Sequence, residues 1–188
     1  MANTLITITL FVVIVVFLIT SMFLQNASNI VNPRVAPKKI NPNIHKIHEG
    51  LYLTDFTNAK DYEALKSLGV RQILTVGKEL PRHGEPIFKV MHIKANDIPS
   101  ENLKKYFNST FDFIKKDPTV VHCAMGISRS STIVIAYLMR KYGMSYEDAL
   151  NHVCKIRSCV NPNPGFRGQL QQFDKEINQK KDNTIKND

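Results

Sequence analysis

The chain has 188 residues, of which 43% are hydrophobic, so it can bury one ordinary core and leaves little material for a second. Its 25 lysines and arginines outnumber 16 acidic residues, and the net charge of +9 favours polyanionic partners such as anionic lipids, phosphoproteins or nucleic acid. Three cysteines without a Cys-x-x-Cys pair give neither a disulfide framework nor a zinc site, which favours a reducing compartment.

An uncharged apolar segment lies close to the N-terminus. After a short start, residues 1–4, the next twenty residues, 5–24, comprise sixteen apolar side chains and four Thr or Ser. A helix of this length crosses about 30 Å of hydrocarbon, so we predict one transmembrane helix as a membrane anchor. A cleaved signal peptide is the alternative, but such a peptide has a basic start and a shorter apolar stretch, and this segment has neither.

Residues 25–43 follow the predicted anchor and contain Pro33, Pro37 and Pro42 among Asn, Ser and Lys. This composition is typical of an extended juxtamembrane tether. Basic residues follow the span and none precedes it, which predicts a single-pass membrane protein whose folded domain faces the cytoplasm. No small-x3-small spacing marks a helix-pairing face in the span, and the oligomeric state stays open.

The predicted folded domain comprises residues 44–178 and alternates short apolar segments with amphipathic ones. Strands are predicted at residues 51–53, 72–76, 87–93 and 119–122. Strands followed by helices indicate an α/β fold with a central, mostly parallel sheet flanked by helices. The polar residues 179–188 are predicted to form a disordered tail.

Apolar residues at helical spacing predict the helices of the domain. Three helices are predicted at 129–142, at 145–156 with a capping box from Ser145 to Asp148, and at 166–180. Two earlier helices are indicated by one apolar face that ends at Gly69 and by a second face after Ser100. The residues of these faces are Ala59, Tyr62, Leu65 and Leu68, then Leu103, Tyr106, Phe107, Phe111 and Ile114.

The segment VVHCAMGISRSST, residues 120–132, leads from an apolar strand through Cys123 and five further residues to Arg129 and a helix. Backbone N–H groups after the cysteine can form a concave anion-binding nest, and the start of the helix directs its positive end into it. Gly126 permits close approach of an anion, and the guanidinium can bind two phosphate oxygens at once. The predicted phosphate-binding residues are Ala124, Met125, Gly126, Ile127, Ser128 and Arg129.

Cys123 is the candidate nucleophile. The same N–H groups and the guanidinium favour its thiolate, which is a good nucleophile toward phosphorus. The alternative is a small buried hydrophobe at the end of a core strand, the usual role of a lone cysteine. The arginine six residues later and the intervening glycine favour the catalytic role. Cys154 and Cys159 are predicted to be packing or solvent-facing thiols.

The run HCAMGISRSS, residues 122–131, resembles the signature of protein tyrosine phosphatases, and with the following TIVIAYLM it resembles the dual-specificity branch in particular. The resemblance covers most of residues 47–173, including the GLYL segment at 50–53, the IKAND loop at 93–97 and the NPNPGF turn at 161–166. The chain contains no Trp and has no room for a kinase-docking domain, so it is similar to the small atypical members of this branch.

The resemblance implies roles for four further residues. Asp97, about 26 residues before the nucleophile, stands in the position of the general acid. Ser130 resembles the hydroxyl that assists the cysteine as a leaving group, and His122 resembles the residue that helps to set the thiolate. Asn163 resembles an asparagine that supports the phosphate loop. A helix-capping role for the aspartate and a simple turn role for the asparagine are the alternatives.

These roles imply a phosphatase that hydrolyses phosphotyrosine, phosphoserine and phosphothreonine in proteins through a phosphocysteine intermediate, with no metal and no cofactor. The expected partners are a phosphoprotein substrate and a membrane, and no nucleic acid. A phosphoinositide or phosphatidylglycerophosphate phosphatase is an alternative that the anchor favours and the uncharged loop side chains disfavour. An RNA 5′-triphosphatase, whose loop usually reads Asn-Arg-Thr, and a non-catalytic phosphate-binding module are further alternatives.

Overall fold

The computed structural model describes residues 16, 19–21 and 41–185. The predicted membrane span and most of the predicted tether therefore lie outside the described residues. No helix in the described part of the chain combines the length and apolarity that a membrane crossing requires. Lys39–Asp188 forms one compact unit, which contains the whole predicted folded domain.

Five strands form a single sheet within residues 41–185, in the order β1-β2-β5-β3-β4. β1 pairs antiparallel with β2, and the remaining neighbours pair parallel. The predicted α/β fold with a mostly parallel central sheet is therefore confirmed. The strands are β1 (His45–His48), β2 (Leu51–Asp55), β3 (Gln72–Val76), β4 (Lys89–Ile93) and β5 (Thr119–Cys123).

The two faces of the sheet are covered by different helices because side chains alternate along each strand. Leu53, Val121 and Leu74 lie side by side in the register of the three central strands, fully buried against the larger helical layer. Their neighbours Val120 and Ile73 point to the opposite face and pack with the first α-helix. Full burial of one such side chain contributes about 1.5–3 kcal/mol, so both layers fix the sheet.

Five α-helices surround the sheet in the described chain. A short helix, α1 (Tyr62–Ser67), covers one face after a 3-10 turn at Asn58–Lys60. The other face is covered by α2 (Phe107–Ile114), α3 (Arg129–Tyr142), α4 (Tyr146–Ile156) and α5 (Pro164–Ile185). The side chain of Ser145 accepts a hydrogen bond from the N–H of Asp148, as the capping box predicts.

Several boundaries differ from the prediction for identifiable reasons. β1 was not predicted because its one buried apolar residue, Ile47, gives no alternating pattern, and β1 lies at the sheet edge. β4 begins two residues later than predicted, at Lys89, because the exposed Ile87 lies in the preceding loop. α5 begins at Pro164, which suits a first helical position, and continues to Ile185 where a disordered tail is predicted. A helix that is already packed elongates at little cost.

The parallel strands bring their carboxyl ends to one edge of the sheet, where open α/β sheets bind ligands. β5 ends at Cys123, between β2 and β3, and α3 begins six residues later. The predicted nucleophile and phosphate loop therefore lie at the centre of this edge.

Candidate active site

The thiol of Cys123 is nearly inaccessible, since the residue is 2% exposed at the end of β5. Two donors point at its sulfur. The N–H of Gly126 lies 3.2 Å from Sγ and the hydroxyl of Ser130 lies 3.1 Å from Sγ. Because both groups donate, the site is built to accept negative charge on the sulfur. The structure thus brings together the predicted nucleophile and the predicted assisting hydroxyl.

The carbonyl groups of the phosphate loop are held outward by donors from elsewhere in the fold. The N–H of Phe56, after β2, donates to the carbonyl of Ala124 at 3.2 Å, and the N–H of Asn161 donates to the carbonyl of Ile127 at 2.9 Å. In a trans peptide the N–H points opposite to the carbonyl. An outward carbonyl therefore turns the following N–H group inward, where it can bind an anion.

Arg157, just after α4, holds the middle of the loop. Its Nε donates to the carbonyl of Gly126 and its Nη2 to the carbonyl of Met125, both at 3.0 Å. The residue is 8% exposed, and the carboxylate of Asp55 lies 4.0 Å from Nη2. The planar guanidinium suits two neighbouring carbonyls at once. Arg157 was not predicted as a site residue, because a single arginine at a helix end carries no distinguishing pattern.

Gly126 occupies a position that other residues could not. Its φ of +67° lies in the left-handed region, and a Cβ there would come 2.5 Å from the backbone oxygen of Thr54 and 2.9 Å from Nη2 of Arg157. The sequence predicts that this glycine permits close approach of an anion. The close approach that the structure shows there is between the loop and β2. It lets the loop close tightly around the sulfur.

Arg129 is buried and held from one side. Its Nη1 donates to both carboxylate oxygens of Glu79, at 2.6 and 2.8 Å, and lies 3.4 Å from the carbonyl of Ala95. Within the described residues, its Nε is a buried donor without a hydrogen-bond partner, 3.6 Å from Oδ2 of Asp97. A donor with no protein acceptor, beside the inward N–H groups, suits a phosphate oxygen.

Glu79 is a second site residue that the sequence did not reveal. Partial burial disfavours its charged form, but its own backbone N–H and the Arg129 guanidinium outweigh this and hold the pKa of Glu79 below its ordinary value. The residue is therefore an anion that fixes one end of the guanidinium. It lies in the loop between β3 and β4, fifty positions before its partner, and no local motif links the two.

Asp97 is anchored to the phosphate loop by its Oδ1 atom. The hydroxyl of Ser128 donates to Oδ1 at 2.7 Å, and the side-chain amide of Asn163 donates to the same oxygen at 2.9 Å. The backbone N–H of Asn163 in turn donates to the Ser128 hydroxyl at 3.1 Å. Since both donors use Oδ1, Oδ2 is left facing Arg129. The structure places the predicted acid beside the predicted loop, with Asn163 linking them.

The start of α5 fits closely against the loop that carries the acid. The side-chain oxygen of Asn163 accepts the N–H of Phe166 and so caps the helix. At Gly165 a Cβ would lie 1.9 Å from the backbone oxygen of Pro99 and 2.6 Å from its Cα. The absence of a side chain at this position therefore sets how closely the Asp97 loop approaches the start of α5.

His122 does not contact the sulfur. The residue is fully buried, with Nδ1 3.4 Å from the carbonyl of Cys123 and Nε2 2.8 Å from the hydroxyl of Thr75 and 2.9 Å from Nε2 of His83. Burial, followed by the nearby His83, lowers the pKa of His122 to about 3. A neutral ring behind the nucleophile agrees with a supporting role and not with contact to substrate.

The two other cysteines, which are also possible metal ligands, lie within residues 16, 19–21 and 41–185, which the structure describes. No cluster of three or more His, Cys, Asp or Glu side chains within the described residues could hold a metal ion. Cys154 is partly buried, with Sγ 3.6 Å from the carbonyl of Val160, and burial raises the pKa of its thiol. Cys159 is exposed, and neither thiol is bonded to another.

Comparisons with known proteins agree with this geometry. Residues 51–176 match the family model of the dual specificity phosphatase catalytic domain. The chain is 42% identical over 142 residues to human dual specificity protein phosphatase 22, a match that covers 72% of this chain and 77% of that protein. It is 39% identical over 133 residues to protein phosphatase Slingshot of Drosophila melanogaster, covering 68% of this chain and only 13% of Slingshot.

The fold has similar solved structures. The crystal structure of DUSP15 superposes with a TM-score of 0.68 at 34% identity, covering 71% of this chain and 88% of that one. The resemblance to small atypical dual-specificity phosphatases and the predicted class of enzyme, a protein phosphatase, are confirmed by these matches. These matches show that this chain belongs to the dual-specificity phosphatase family.

Proposed function

We propose that this protein is a membrane-anchored, cysteine-dependent phosphatase that hydrolyses phosphotyrosine, phosphoserine and phosphothreonine in proteins through a phosphocysteine intermediate. The observation that carries the proposal is the arrangement around one sulfur. Cys123 Sγ accepts two hydrogen bonds, inward N–H groups and a buried Arg129 Nε surround it, and Asp97 is fixed to the same loop. The proposed nucleophile, anion clamp and acid thus all belong to one loop or are bonded to it.

In the first step, Sγ attacks phosphorus and an S–P bond forms as the bond from phosphorus to the leaving oxygen breaks. Asp97 gives its proton to that oxygen, so the alcohol or phenol leaves neutral. The loop N–H groups and Arg129 hold the three equatorial oxygens, whose charge they stabilise in the transition state. Glu79 keeps Nη1 of the guanidinium occupied, which leaves Nε for the phosphate.

In the second step, water attacks phosphorus and the S–P bond breaks, releasing inorganic phosphate. Asp97, now a carboxylate, takes the proton from the water and is ready for the next cycle. The hydroxyl of Ser130, already 3.1 Å from Sγ, donates to the sulfur as it leaves as a thiolate. Its placement supports the assisting role that the resemblance implies.

The loop side chains support a protein substrate. Ala124, Met125 and Ile127 carry no charge, and Met125 is 66% exposed, so these side chains add no positive charge around the phosphate loop. A headgroup with several phosphates would want further cations at these positions. The chain nevertheless keeps one feature that favours the lipid alternative, the uncharged segment 5–24 followed by a basic tether.

A substrate panel tests the proposed activity. The full-length chain in detergent should hydrolyse phosphotyrosine and phosphothreonine peptides, and Cys123→Ser should abolish turnover while it retains phosphate binding, measured by released phosphate and by calorimetry. Cys159→Ser, which changes an exposed thiol, is the matched control and should leave the rate unchanged. Turnover of short-chain phosphoinositides alone would move the assignment to lipid metabolism, and no turnover at all would favour a phosphate-binding module.

The effect on kcat of removing the Asp97 carboxyl group should depend on the leaving group. Asp97→Asn should lower kcat for phosphotyrosine peptides by about a hundredfold or more, because the departing phenolate is no longer protonated. An aryl phosphate whose leaving group is an acidic, fluorinated phenol needs no proton from the enzyme. Its kcat should therefore fall much less in this variant. Asp112→Asn, at an exposed position on α2, is the control. Equal losses on both substrates would show that Asp97 is not the proton donor.

The contact between Gly165 and Pro99 should control the placement of the acid. Gly165→Ala puts a methyl group where the backbone of Pro99 lies, so the Asp97 loop must shift, and a misplacement of about 1 Å costs up to about a hundredfold in rate. The loss should again be larger for peptides than for the fluorinated aryl phosphate. Gly168→Ala, in open space one turn later on α5, should leave both rates near the wild-type values.

We propose that residues 5–24 anchor the protein in a membrane with the catalytic domain in the cytoplasm. The length and apolarity of the segment, and the basic residues that follow it, support this topology. Phosphorylated cytoplasmic proteins next to that membrane would then be the accessible substrates.

Glycosylation reports this topology. Asn108 begins an Asn-Ser-Thr sequon and is exposed on α2, so a domain in the secretory lumen would present it for modification. In cells that glycosylate, the protein should show no glycosidase-sensitive mass, whereas a sequon tag added before residue 1 should be modified. A glycosidase-sensitive mass that disappears in Asn108→Gln would place the domain in the lumen.

A further inference from the structure

The loop between β3 and β4, residues 77–88, contacts one residue before Cys123 and one residue after it in the chain. Glu79 from this loop holds Arg129, as described above, and His83 from the same loop contacts His122, the residue before Cys123. The contact with Arg129 has a clear purpose in phosphate binding. The contact between the two histidines has no role in the proposed mechanism so far.

His83 is held in a defined orientation. Its Nδ1 lies 3.1 Å from the hydroxyl of Tyr62, on α1, and its Nε2 lies 2.9 Å from Nε2 of His122. The ring stacks on Tyr62 with an angle of 13° between the planes and meets the ring of Phe56 edge-on. Both ring nitrogens thus have polar partners, and the ring packs with two aromatic side chains.

The contacts of His122 decide which nitrogen carries its proton. Nδ1 faces the carbonyl oxygen of Cys123 at 3.4 Å, and a nitrogen lone pair there would be repelled by that oxygen. Nδ1 therefore carries the proton and donates, which leaves Nε2 as an acceptor. The facing Nε2 of His83 must then be protonated, and Nδ1 of His83 accepts from the Tyr62 hydroxyl. Thr75 shares the acceptor at Nε2 of His122.

Two neutral rings are required for this assignment, because two N–H groups cannot face each other at 2.9 Å. Burial, and after it the nearby Lys60 and His92, lower the pKa of His83. Burial and His83 lower the pKa of His122, against smaller opposing effects from the carbonyl of Cys123 and from Asp55. The balance of these effects leaves both rings neutral near pH 7.

We propose that His83 is a positioning residue, which holds His122 in the tautomer that donates to the Cys123 carbonyl and so keeps the thiolate stabilised. The inference rests on the proposed function, since it concerns the same nucleophile. Without the N–H of His83, His122 can instead carry its proton on Nε2 and donate to Thr75. Its Nδ1 lone pair then faces the Cys123 carbonyl, and the backbone that directs N–H groups at Sγ loses a support.

A pair of substitutions separates hydrogen bonding from packing. His83→Phe keeps a ring against Tyr62 and Phe56 but removes the N–H, whereas His83→Gln keeps an N–H donor near the position of Nε2. Glu85→Gln, which breaks an exposed ion pair with Arg82 in the same loop, is the control for changes to the loop alone. Thermal unfolding of each full-length variant in detergent checks that it is folded.

The readout is alkylation of Cys123 by iodoacetamide at pH 6 and at pH 9.5, followed by mass spectrometry of the peptide that contains it. Only the thiolate reacts. His83→Phe should react about fivefold more slowly than wild type at pH 6 and at the wild-type rate at pH 9.5, as loss of one buried hydrogen bond would give. His83→Gln and Glu85→Gln should react within about twofold of wild type at both values.

Two results would overturn the proposal. One is a wild-type rate for His83→Phe at pH 6, and the other is equal slowing of the Phe and Gln variants at both pH values, which would indicate packing alone. If His83→Phe does not fold, nitrogen-15 NMR of the wild-type rings decides, since His122 must be protonated on Nδ1 and His83 on Nε2. Alkylation needs no turnover, so an inactive protein with this alkylation pattern would contradict the proposed function and leave the role of His83 intact.

Discussion

Outward carbonyl groups are the constraint on which the active site depends. A loop of six residues can bind a phosphate only if its N–H groups point inward, and each inward N–H requires the preceding carbonyl to point away. Each carbonyl held in this way accepts a hydrogen bond, and Phe56, Asn161 and Arg157 supply the donors. The fold of the domain thus brings three donors that are distant in the chain to the carbonyl groups of one loop.

Asp97 and Arg129 are held in place by hydrogen bonds to different residues. Asp97 is held by Ser128 and Asn163 and depends on the close approach of α5, whereas Arg129 is held by Glu79 on the opposite side. Ser128 belongs to both systems, because it lies in the phosphate loop and also donates to the acid. The predicted phosphate loop and the Asp97 loop are therefore linked through one hydroxyl.

The sequence predicts the parts of the site that lie close together in the chain. Cys123 and Arg129 are separated by five residues between a strand and a helix, so their chemistry follows from local spacing. Glu79 and Arg157 reach their partners across 50 and about 30 residues, and both are ordinary charged residues at loop and helix ends. No sequence periodicity links either of these residues to its partner. Asp97 could be named only through the family resemblance.

The fold, like the site, can be predicted only where the sequence carries a local pattern. The parallel strands were predicted because each is an apolar run, while β1, with its single buried apolar residue Ile47, gives no such signal and forms only because β2 offers a free edge. Helix ends follow Pro and Gly where these occur, but α5 continues past its predicted end because elongation of a packed helix needs no special residue.

The wide separation of the three carbonyl-holding donors also bears on biosynthesis. Phe56 is made early and Asn161 late, so the loop around Cys123 cannot take its final shape until nearly the whole domain has left the ribosome and α4 has packed. A nascent chain that ends before Asn161 therefore lacks one of the donors that shape the phosphate loop.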